Sequence, residues 1–163
     1  MKVVFLDIDG VLNSNFWNDT HQREISDGTL VDEEKVMLLG KLIRDTNVKV
    51  ILHSGWKFWF DSEIMPLRKE AERLLCMLAK EGIKVDGVTP NHTTEEIRKS
   101  KKFSLVKASE ILAWVSQYDN IEKWIVIDDL DLHNEEIRKH QIITDASIGL
   151  TAKNIHEAEL LLL

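Results

Sequence analysis

The sequence predicts a single α/β domain in which helices cover both faces of a doubly wound parallel sheet. Three observations support this prediction. The chain has 163 residues, which is the length of one compact domain. Short apolar runs alternate with segments of helical periodicity, an order typical of parallel sheets. Polar residues follow several of the apolar runs directly, at the positions where sheets of this kind bind their ligands.

The first half of the chain alternates strands with a loop and a helix. Residues Lys2–Ile8 are almost continuously apolar, as expected of a strand that is buried on both faces. The polar and aromatic segment 13–28 has no clear period, and we expect it to form a flap or minimal cap loop. A helical stripe then begins near Val31, with acidic residues in its first turn, and Val48–Leu52 predicts the second strand.

The second half of the chain continues the alternation, and Gly82 stands where the C-terminal cap of a helix belongs. Residues 91–104 are polar and basic and predict a loop with some helix. No internal repeat and no proline-rich linker interrupts the order, so residues 1–163 predict one domain. The predicted helices are Glu63–Lys80, Leu105–Tyr118 and Asn154–Leu163, and the predicted strands are Ile83–Val88, Trp124–Ile127 and Gln141–Thr144.

The amino-acid composition excludes or disfavours several classes of protein. With 44% hydrophobic and 30% charged residues, the chain is an ordinary core-forming one, which excludes collagen-like and disordered proteins. No apolar run approaches the roughly 18 residues of a membrane span, and acidic residues interrupt the early apolar stretch, so neither a membrane partner nor a signal peptide is expected. The net charge of −7 disfavours nonspecific coating of nucleic acid.

Cys76 is the single cysteine of the chain and cannot form an internal disulfide. This predicts a reducing, cytoplasmic location. Because Cys76 lies in a predicted helix rich in leucine, we expect its side chain to be buried as a small hydrophobic group.

Four carboxylates and a hydroxyl follow three of the predicted strands. Because the carboxyl ends of parallel strands meet at one edge of the sheet, these side chains should converge there. Clustered carboxylates raise one another's pKa values, and a divalent cation is their natural compensation. An all-oxygen ligand set favours Mg²⁺ over zinc. The residues at these strand ends are Asp7, Asp9 and Gly10, then Ser54 and Gly55, and finally Asp128 and Asp129.

The spacing of Asp7 and Asp9 suits phosphoryl transfer. In an extended chain, side chains two residues apart point to the same side. One carboxylate can attack phosphorus, while the other protonates the leaving oxygen and later takes a proton from water. Ser54, together with nearby backbone N–H groups, can hold the phosphate oxygens.

Each of these signals also has an ordinary structural interpretation. Asp9-Gly10 is typical of a β-hairpin turn, and Ser54-Gly55 of a turn from strand to loop. Asp128-Asp129 is typical of a helix N-cap. The recurrence of polar residues at three strand ends favours catalysis over these interpretations.

Three segments resemble motifs of the haloacid dehalogenase (HAD) superfamily, most of whose members are phosphatases. Residues 5–13, which read FLDIDGVLN, resemble the first motif. Ser54 after an apolar strand resembles the second motif, and residues 126–129, which read VIDD, resemble the fourth. The resemblance implies a three-layer, Rossmann-like HAD fold with a minimal cap or none. The length of the chain agrees with the absence of a large cap.

The same resemblance implies roles for individual residues. Asp7 would be the nucleophile and Asp9 the general acid and base. Asp7, Asp128 with its neighbour Asp129, and the backbone carbonyl of Asp9 would bind Mg²⁺. Ser54 and Gly55 would contact the phosphate. For the cation of the third motif we choose one residue, Lys107, from five candidates. They are Arg98, Lys99, Lys101, Lys102 and Lys107.

The pattern is also similar to a small, compact branch of the superfamily that includes the HAD domain of Swiss Army Knife RNA repair proteins. That branch often carries an Arg-Gly pair in its third motif, where this chain reads Lys107-Ala108. An uncapped site suits a bulky phosphorylated substrate, such as an RNA or DNA end, or a nucleotide, touched by the basic stretch 98–107. The segments that carry the similarity are 9–13, 54–56, 87–90, 110–114 and 144–151.

The sequence therefore predicts a Mg²⁺-dependent phosphatase that forms an aspartyl-phosphate intermediate. The alternative from another class is a catalytically silent HAD-fold domain that senses phosphate or binds a protein. A dehalogenase, the third candidate, would have no need for Mg²⁺ or for Asp9 and Asp128-Asp129. The sequence leaves the oligomeric state and the physiological substrate open.

Overall fold

Strands and helices alternate along the whole chain in the computed structural model, which describes residues 1–163. The strands are β1 Lys2–Leu6, β2 Lys49–Leu52, β3 Val85–Val88, β4 Lys123–Asp128 and β5 Gln141–Ile143. The helices are α1 Asn15–Thr20, α2 Gln22–Ser26, α3 Glu33–Thr46, α4 Lys69–Lys80, α5 Glu95–Ser100, α6 Phe103–Val115, α7 Glu135–Arg138 and α8 Ala152–Leu162. A short 3₁₀ helix, Gly55–Trp59, follows β2. None of the helices combines the length and apolar character that a membrane span requires.

All five strands are parallel and form one sheet in the order β3-β2-β1-β4-β5. Strand β1 lies at the centre, where Val4 pairs with Val50 of β2 and Ile125 of β4. The chain runs outward from β1 in one direction through β2 and β3, and in the other through β4 and β5. A crevice for ligands therefore lies at the carboxyl ends of β1 and β4, where the strand order reverses.

Helices pack on both faces of the sheet and give the predicted three layers. Val4 and Leu6 of β1 belong to the larger core, which they share with α3, α4 and α8. Val3 and Phe5 point to the opposite face and pack in a smaller core with α6. The unbroken apolar run of β1 is explained by this burial on both sides. The doubly wound α/β fold predicted from the sequence is confirmed.

The segment 13–28 contains two short helices, α1 and α2, where the sequence indicated a loop. The hydroxyl of Ser14 accepts the N–H of Trp17 and so caps the first turn of α1. Neither helix has a buried residue. Because no apolar face had to be buried, neither sequence shows the apolar periodicity that predicts a helix.

The helix predicted from Glu63 begins six residues later, at Lys69. The carboxylate of Asp61 accepts the N–H groups of Glu63 and Met65, which holds this stretch in a turn. Pro66 also disfavours helical geometry at the residue before it. Within α4 the expectation for Cys76 is wrong, because its side chain lies on the solvent face of the helix and is exposed.

Candidate active site

The carboxylates of three aspartates converge at the carboxyl ends of β1 and β4. Asp7 directly follows β1, and its N–H donates to the carbonyl of Ile127 in β4, which extends the pairing of the two strands. Asp128 ends β4 and is completely buried, and Asp129 is half-buried. Carboxylate oxygens of Asp7, Asp128 and Asp129 lie within 4.8 Å of one another.

Lys107 is the cation that faces this acidic cluster. It lies on the second turn of α6, and its Nζ is 2.9 Å from Oδ2 of Asp128 and 3.5 Å from Oδ2 of Asp7. None of the four other basic candidates forms an ion pair with the three aspartates. One ammonium against three carboxylates leaves the cluster with an excess of negative charge when all are ionised.

Burial and mutual repulsion set the protonation of the cluster. Burial and the charge of Asp128 raise the pKa of Asp7 well above its ordinary value. Burial also opposes the ionised form of Asp128, but hydrogen bonding from His53 and the charge of Lys107 hold the pKa of Asp128 below its usual range. Burial lowers the pKa of Lys107, yet the carboxylates of Asp7 and Asp128 outweigh it, so that pKa is raised. The ammonium of Lys107 is therefore charged at neutral pH.

Asp9 lies outside this cluster, on an exposed turn that follows β1. Its carboxylate accepts hydrogen bonds from Asn13 Nδ2 at 2.9 Å and from Trp56 Nε1 at 3.2 Å. Gly10 has a φ of +80°, and a Cβ there would lie 2.6 Å from Cγ of Asp129. Glycine thus permits both the turn and the close approach of Asp129. The turn does not lead into a β-hairpin.

Residues from the far end of the chain brace this turn. The hydroxyl of Thr144 donates to the carbonyl of Gly10 at 2.7 Å, inside the protein. The N–H of Leu150 donates to the carbonyl of Val11 at 2.8 Å. The position of Asp9 is therefore tied to the segment that follows β5.

Ser54 and Gly55 lie at the carboxyl end of β2, next to β1. Ser54 is buried, and its Oγ accepts the N–H of Trp56 at 3.1 Å, which caps the 3₁₀ helix. The hydroxyl hydrogen has no protein acceptor and is free to donate to a bound ligand. A Cβ on Gly55 would meet no heavy atom within 4 Å, so space is open beside this residue.

His53 orients the carboxylate of Asp128 through a buried hydrogen bond. Its side chain is completely buried, and its Nε2 lies 2.7 Å from Oδ2 of Asp128. Because an ionised carboxylate only accepts hydrogen bonds, the Nε2–H is the donor. Burial lowers the pKa of His53 despite the nearby carboxylate, so the imidazole is neutral at physiological pH.

A buried ion pair next to the site escaped the sequence analysis. Nζ of Lys57 lies 2.8 Å from Oε2 of Glu110, and both side chains are at most 5% exposed. The ammonium also donates to the hydroxyl of Thr89 and the carbonyl of Pro90. The pair ties the 3₁₀ helix after β2 to α6, the helix that carries Lys107. Charged residues within largely apolar stretches were the available signal.

The donor set of the acidic cluster fits a hard divalent cation. Asp7, Asp128 and Asp129 offer carboxylate oxygens alone, without nitrogen or sulfur donors. Oxygen ligands are the ones that Mg²⁺ prefers in proteins. The excess negative charge of the cluster also favours binding of a cation, because a cation reduces the repulsion between the carboxylates. The side chain of Asp9 is engaged elsewhere, by Asn13 and Trp56.

Comparison with known proteins yields a family match over nearly the whole chain. The family described as the HAD domain in Swiss Army Knife RNA repair proteins matches residues 3–155. The match includes every candidate site residue and all five strands except Lys2, the first residue of β1. No curated protein and no solved structure matches the chain. The resemblance in the sequence motifs is thereby confirmed: the chain belongs to the HAD superfamily and, within it, to the family of HAD domains in Swiss Army Knife RNA repair proteins.

Proposed function

We propose that this protein is a Mg²⁺-dependent phosphatase that hydrolyses phosphate monoesters through an aspartyl-phosphate on Asp7. The observation that carries this proposal is the convergence of Asp7, Asp128 and Asp129 within 4.8 Å, with the ammonium of Lys107 between Asp7 and Asp128. Membership of a family of generally hydrolytic domains supports it.

Asp7, Asp128 and Asp129 would hold the cation, with the backbone carbonyl of Asp9 as a further ligand. A bound Mg²⁺ supplies positive charge that offsets the repulsion between a phosphate and the Asp7 carboxylate. His53 holds the carboxylate of Asp128 by a hydrogen bond, and the lack of a side chain at Gly10 leaves room for the carboxylate of Asp129.

In the first step, a carboxylate oxygen of Asp7 attacks phosphorus and the ester P–O bond breaks. Asp9, in its protonated form, gives its proton to the departing oxygen, which leaves as an alcohol. Asn13 and Trp56 fix the direction of the Asp9 carboxyl group. The Ser54 hydroxyl and the Lys107 ammonium bind phosphate oxygens and stabilise the charge that develops on them.

In the second step, water attacks phosphorus and the bond between phosphorus and the Asp7 oxygen breaks. Asp9 is now a carboxylate and takes a proton from the attacking water. Inorganic phosphate leaves, Asp7 is again a carboxylate, and Asp9 is again protonated. The same residue serves both steps because it lies on an exposed turn that both an alcohol and water can reach.

The segment 13–28 acts as a minimal cap in this proposal, and residues 1–163 as one HAD-like domain. Two short helices leave the site accessible to large molecules, so we propose phosphorylated RNA or DNA ends, or nucleotides, as substrates. The RNA repair context named for the family supports this choice, as do the basic residues of the stretch 98–107. The lone cysteine supports a cytoplasmic setting.

A phosphate-release screen tests the proposal. Oligonucleotides with 3′- or 5′-phosphates, nucleotides and sugar phosphates are compared with Mg²⁺ and with a chelator. We expect turnover that requires Mg²⁺ and is fastest with the oligonucleotides. Asp7→Asn should lower turnover by about three orders of magnitude or more, since it removes the attacking group. Asp119→Asn, at an exposed position, is the matched control. Normal turnover by Asp7→Asn would refute the assignment of the nucleophile.

A further inference from the structure

A cleft of about 530 Å³ opens directly beside the acidic site. His53 and Lys107, which both contact Asp128, form its inner end. The cleft extends from there between the 3₁₀ helix after β2 and the first turns of α6. A substrate whose phosphate lies at Lys107 would therefore place its next chemical group in this cleft.

The outer part of the cleft is aromatic and apolar. Phe58 comes from the 3₁₀ helix and Phe103 from the start of α6, and Leu130 follows β4. These side chains are 52%, 44% and 42% exposed, respectively. Large apolar side chains that stay exposed around a binding site are typical of surfaces that contact a ligand. The rings of Phe58 and Phe103 offer faces on which a flat group can stack.

The free charge of the cleft is positive. Lys57 is neutralised by Glu110 at 2.8 Å, and Lys107 by the aspartates of the site. Arg98, on α5, lines the same cleft and forms no ion pair. Three exposed lysines without ion pairs follow Arg98 in the chain and add positive charge near it, which suits a chain of phosphates. They are Lys99, Lys101 and Lys102.

We propose that this cleft binds the nucleoside next to the phosphate that is removed, at the end of a single-stranded nucleic acid. The base stacks on Phe58 and Phe103, and Arg98 contacts the following phosphate of the strand. The proposal rests on the proposed function and specifies its substrate class. The strand must be single at this end, because a base in a duplex is held by its partner and exposes at most its outer face, whereas an unpaired base can present its aromatic faces to both rings. Every base has such a face, so little preference among bases is expected.

Binding to the Asp7→Asn protein measures the contact without turnover. The probes are a fluorescent single-stranded oligonucleotide with a terminal phosphate and the same strand with an abasic terminal residue. Fluorescence anisotropy should show about tenfold weaker binding of the abasic strand, the scale of one stacked base. Phe58→Ala and Phe103→Ala should each remove most of this difference. Arg98→Gln should weaken both strands and reduce the dependence of affinity on salt.

Two variants serve as matched controls. Leu105→Ala removes an exposed apolar side chain from α6 that does not line the cleft. Arg138→Gln removes an exposed arginine at the end of another short helix, α7, also outside the cleft. Both should bind the two strands as the parent protein does.

The outcomes separate this inference from the proposed function. Equal affinity for the two strands would overturn the inference, as would tighter binding of a phosphoserine peptide that depends on Phe58 and Phe103. Hydrolysis of glycerol phosphate by the wild-type protein with Mg²⁺ tests the chemistry alone. If the wild-type protein with Mg²⁺ hydrolyses neither glycerol phosphate nor the phosphorylated oligonucleotide while base-dependent binding persists, the proposed function falls and the nucleoside site stands. If hydrolysis occurs without base-dependent binding, the reverse holds.

Discussion

Nζ of Lys107 lies 2.9 Å from Oδ2 of Asp128, so a single ammonium stabilises a carboxylate that would also bind the metal. The same ammonium is 3.5 Å from Asp7, the candidate nucleophile. Without a divalent cation, Lys107 supplies the positive charge that keeps these buried carboxylates together. One ammonium cannot neutralise three carboxylates. The effect of the remaining repulsion on the free energy of unfolding can be measured.

Asp7→Asn should stabilise the protein when divalent cations are removed. Burial and the charge of Asp128 raise the pKa of Asp7 in the folded state. Between the ordinary pKa of 3.8 and the raised one, the folded protein binds more protons at this site than the unfolded chain. Ionised Asp7 therefore destabilises the fold, and the free energy of unfolding falls as pH rises through this window.

Urea denaturation in chelator over a pH series measures this effect. The variant should be the more stable protein at neutral pH, by about 1.4 kcal/mol for each tenfold change in the acidity constant of Asp7. The advantage should vanish at acidic pH, where the unfolded chain also protonates this group. A stability difference that is constant across pH would contradict the raised pKa.

Removal of His53 should weaken Mg²⁺ binding without removing any ligand. The Nε2–H of His53 holds Oδ2 of Asp128 at 2.7 Å, and loss of such a support costs about tenfold or more in metal affinity. Isothermal titration of Mg²⁺ into His53→Gln checks this expectation. His156→Gln, at an exposed position on α8, is the control and should bind Mg²⁺ normally. Unchanged affinity of His53→Gln would show that Asp128 needs no such support.

Gly10→Ala should damage the site, whereas Gly82→Ala should cost stability alone. Both glycines have positive φ, so either alanine should destabilise the fold by about 1 kcal/mol. A Cβ at Gly10 would also lie 2.6 Å from Cγ of Asp129, while one at Gly82 meets nothing within 4 Å. Chemical denaturation and Mg²⁺ titration of both variants separate strain from displacement of Asp129. Equal Mg²⁺ affinities would mean that Asp129 adjusts freely.

The buried pair of Lys57 and Glu110 should matter far more than an exposed pair. Lys57→Met leaves a buried carboxylate without its partner and should cost about 3–5 kcal/mol of unfolding free energy. The double variant with Glu110→Gln should lose less than the sum of the two single changes. Lys41→Met breaks exposed pairs, including one with Asp45, and should cost about 1 kcal/mol or less. Urea denaturation of the wild-type protein, Lys57→Met, Glu110→Gln, the double variant and Lys41→Met measures these losses. If the losses of the two single variants add up to that of the double variant, Lys57 and Glu110 are not coupled.

The sequence predicted the sheet because strands buried on both faces leave an unmistakable apolar run, as in Val3–Leu6. It also predicted that Asp7 and Asp128 would meet, because parallel strands direct their carboxyl ends to one edge. These inferences need only local pattern and topology. Pro66 was a signal for a turn before α4. The apolar periodicity of α4 nevertheless led us to extend the predicted helix back to Glu63.

Contacts between distant segments were beyond the reach of local patterns. Lys57 and Glu110 are far apart in the chain, and neither residue alone indicates an ion pair. The hydrogen bond from Trp56 to Asp9 likewise depends on how β2 and β1 lie side by side. The exposure of Cys76 depends on the rotation of α4 about its axis, which leucine on several sides of the helix left undecided.

The bond from Thr144 to Gly10 has a consequence for biosynthesis. The turn that bears Asp9 leaves the ribosome well before the hydroxyl that secures it, because Thr144 lies 134 residues after Gly10. A nascent chain that ends before residue 141 lacks both this hydrogen bond and strand β5. The proposed phosphatase activity should therefore arise only after Thr144 has been made, so shorter nascent chains should not hydrolyse phosphate esters.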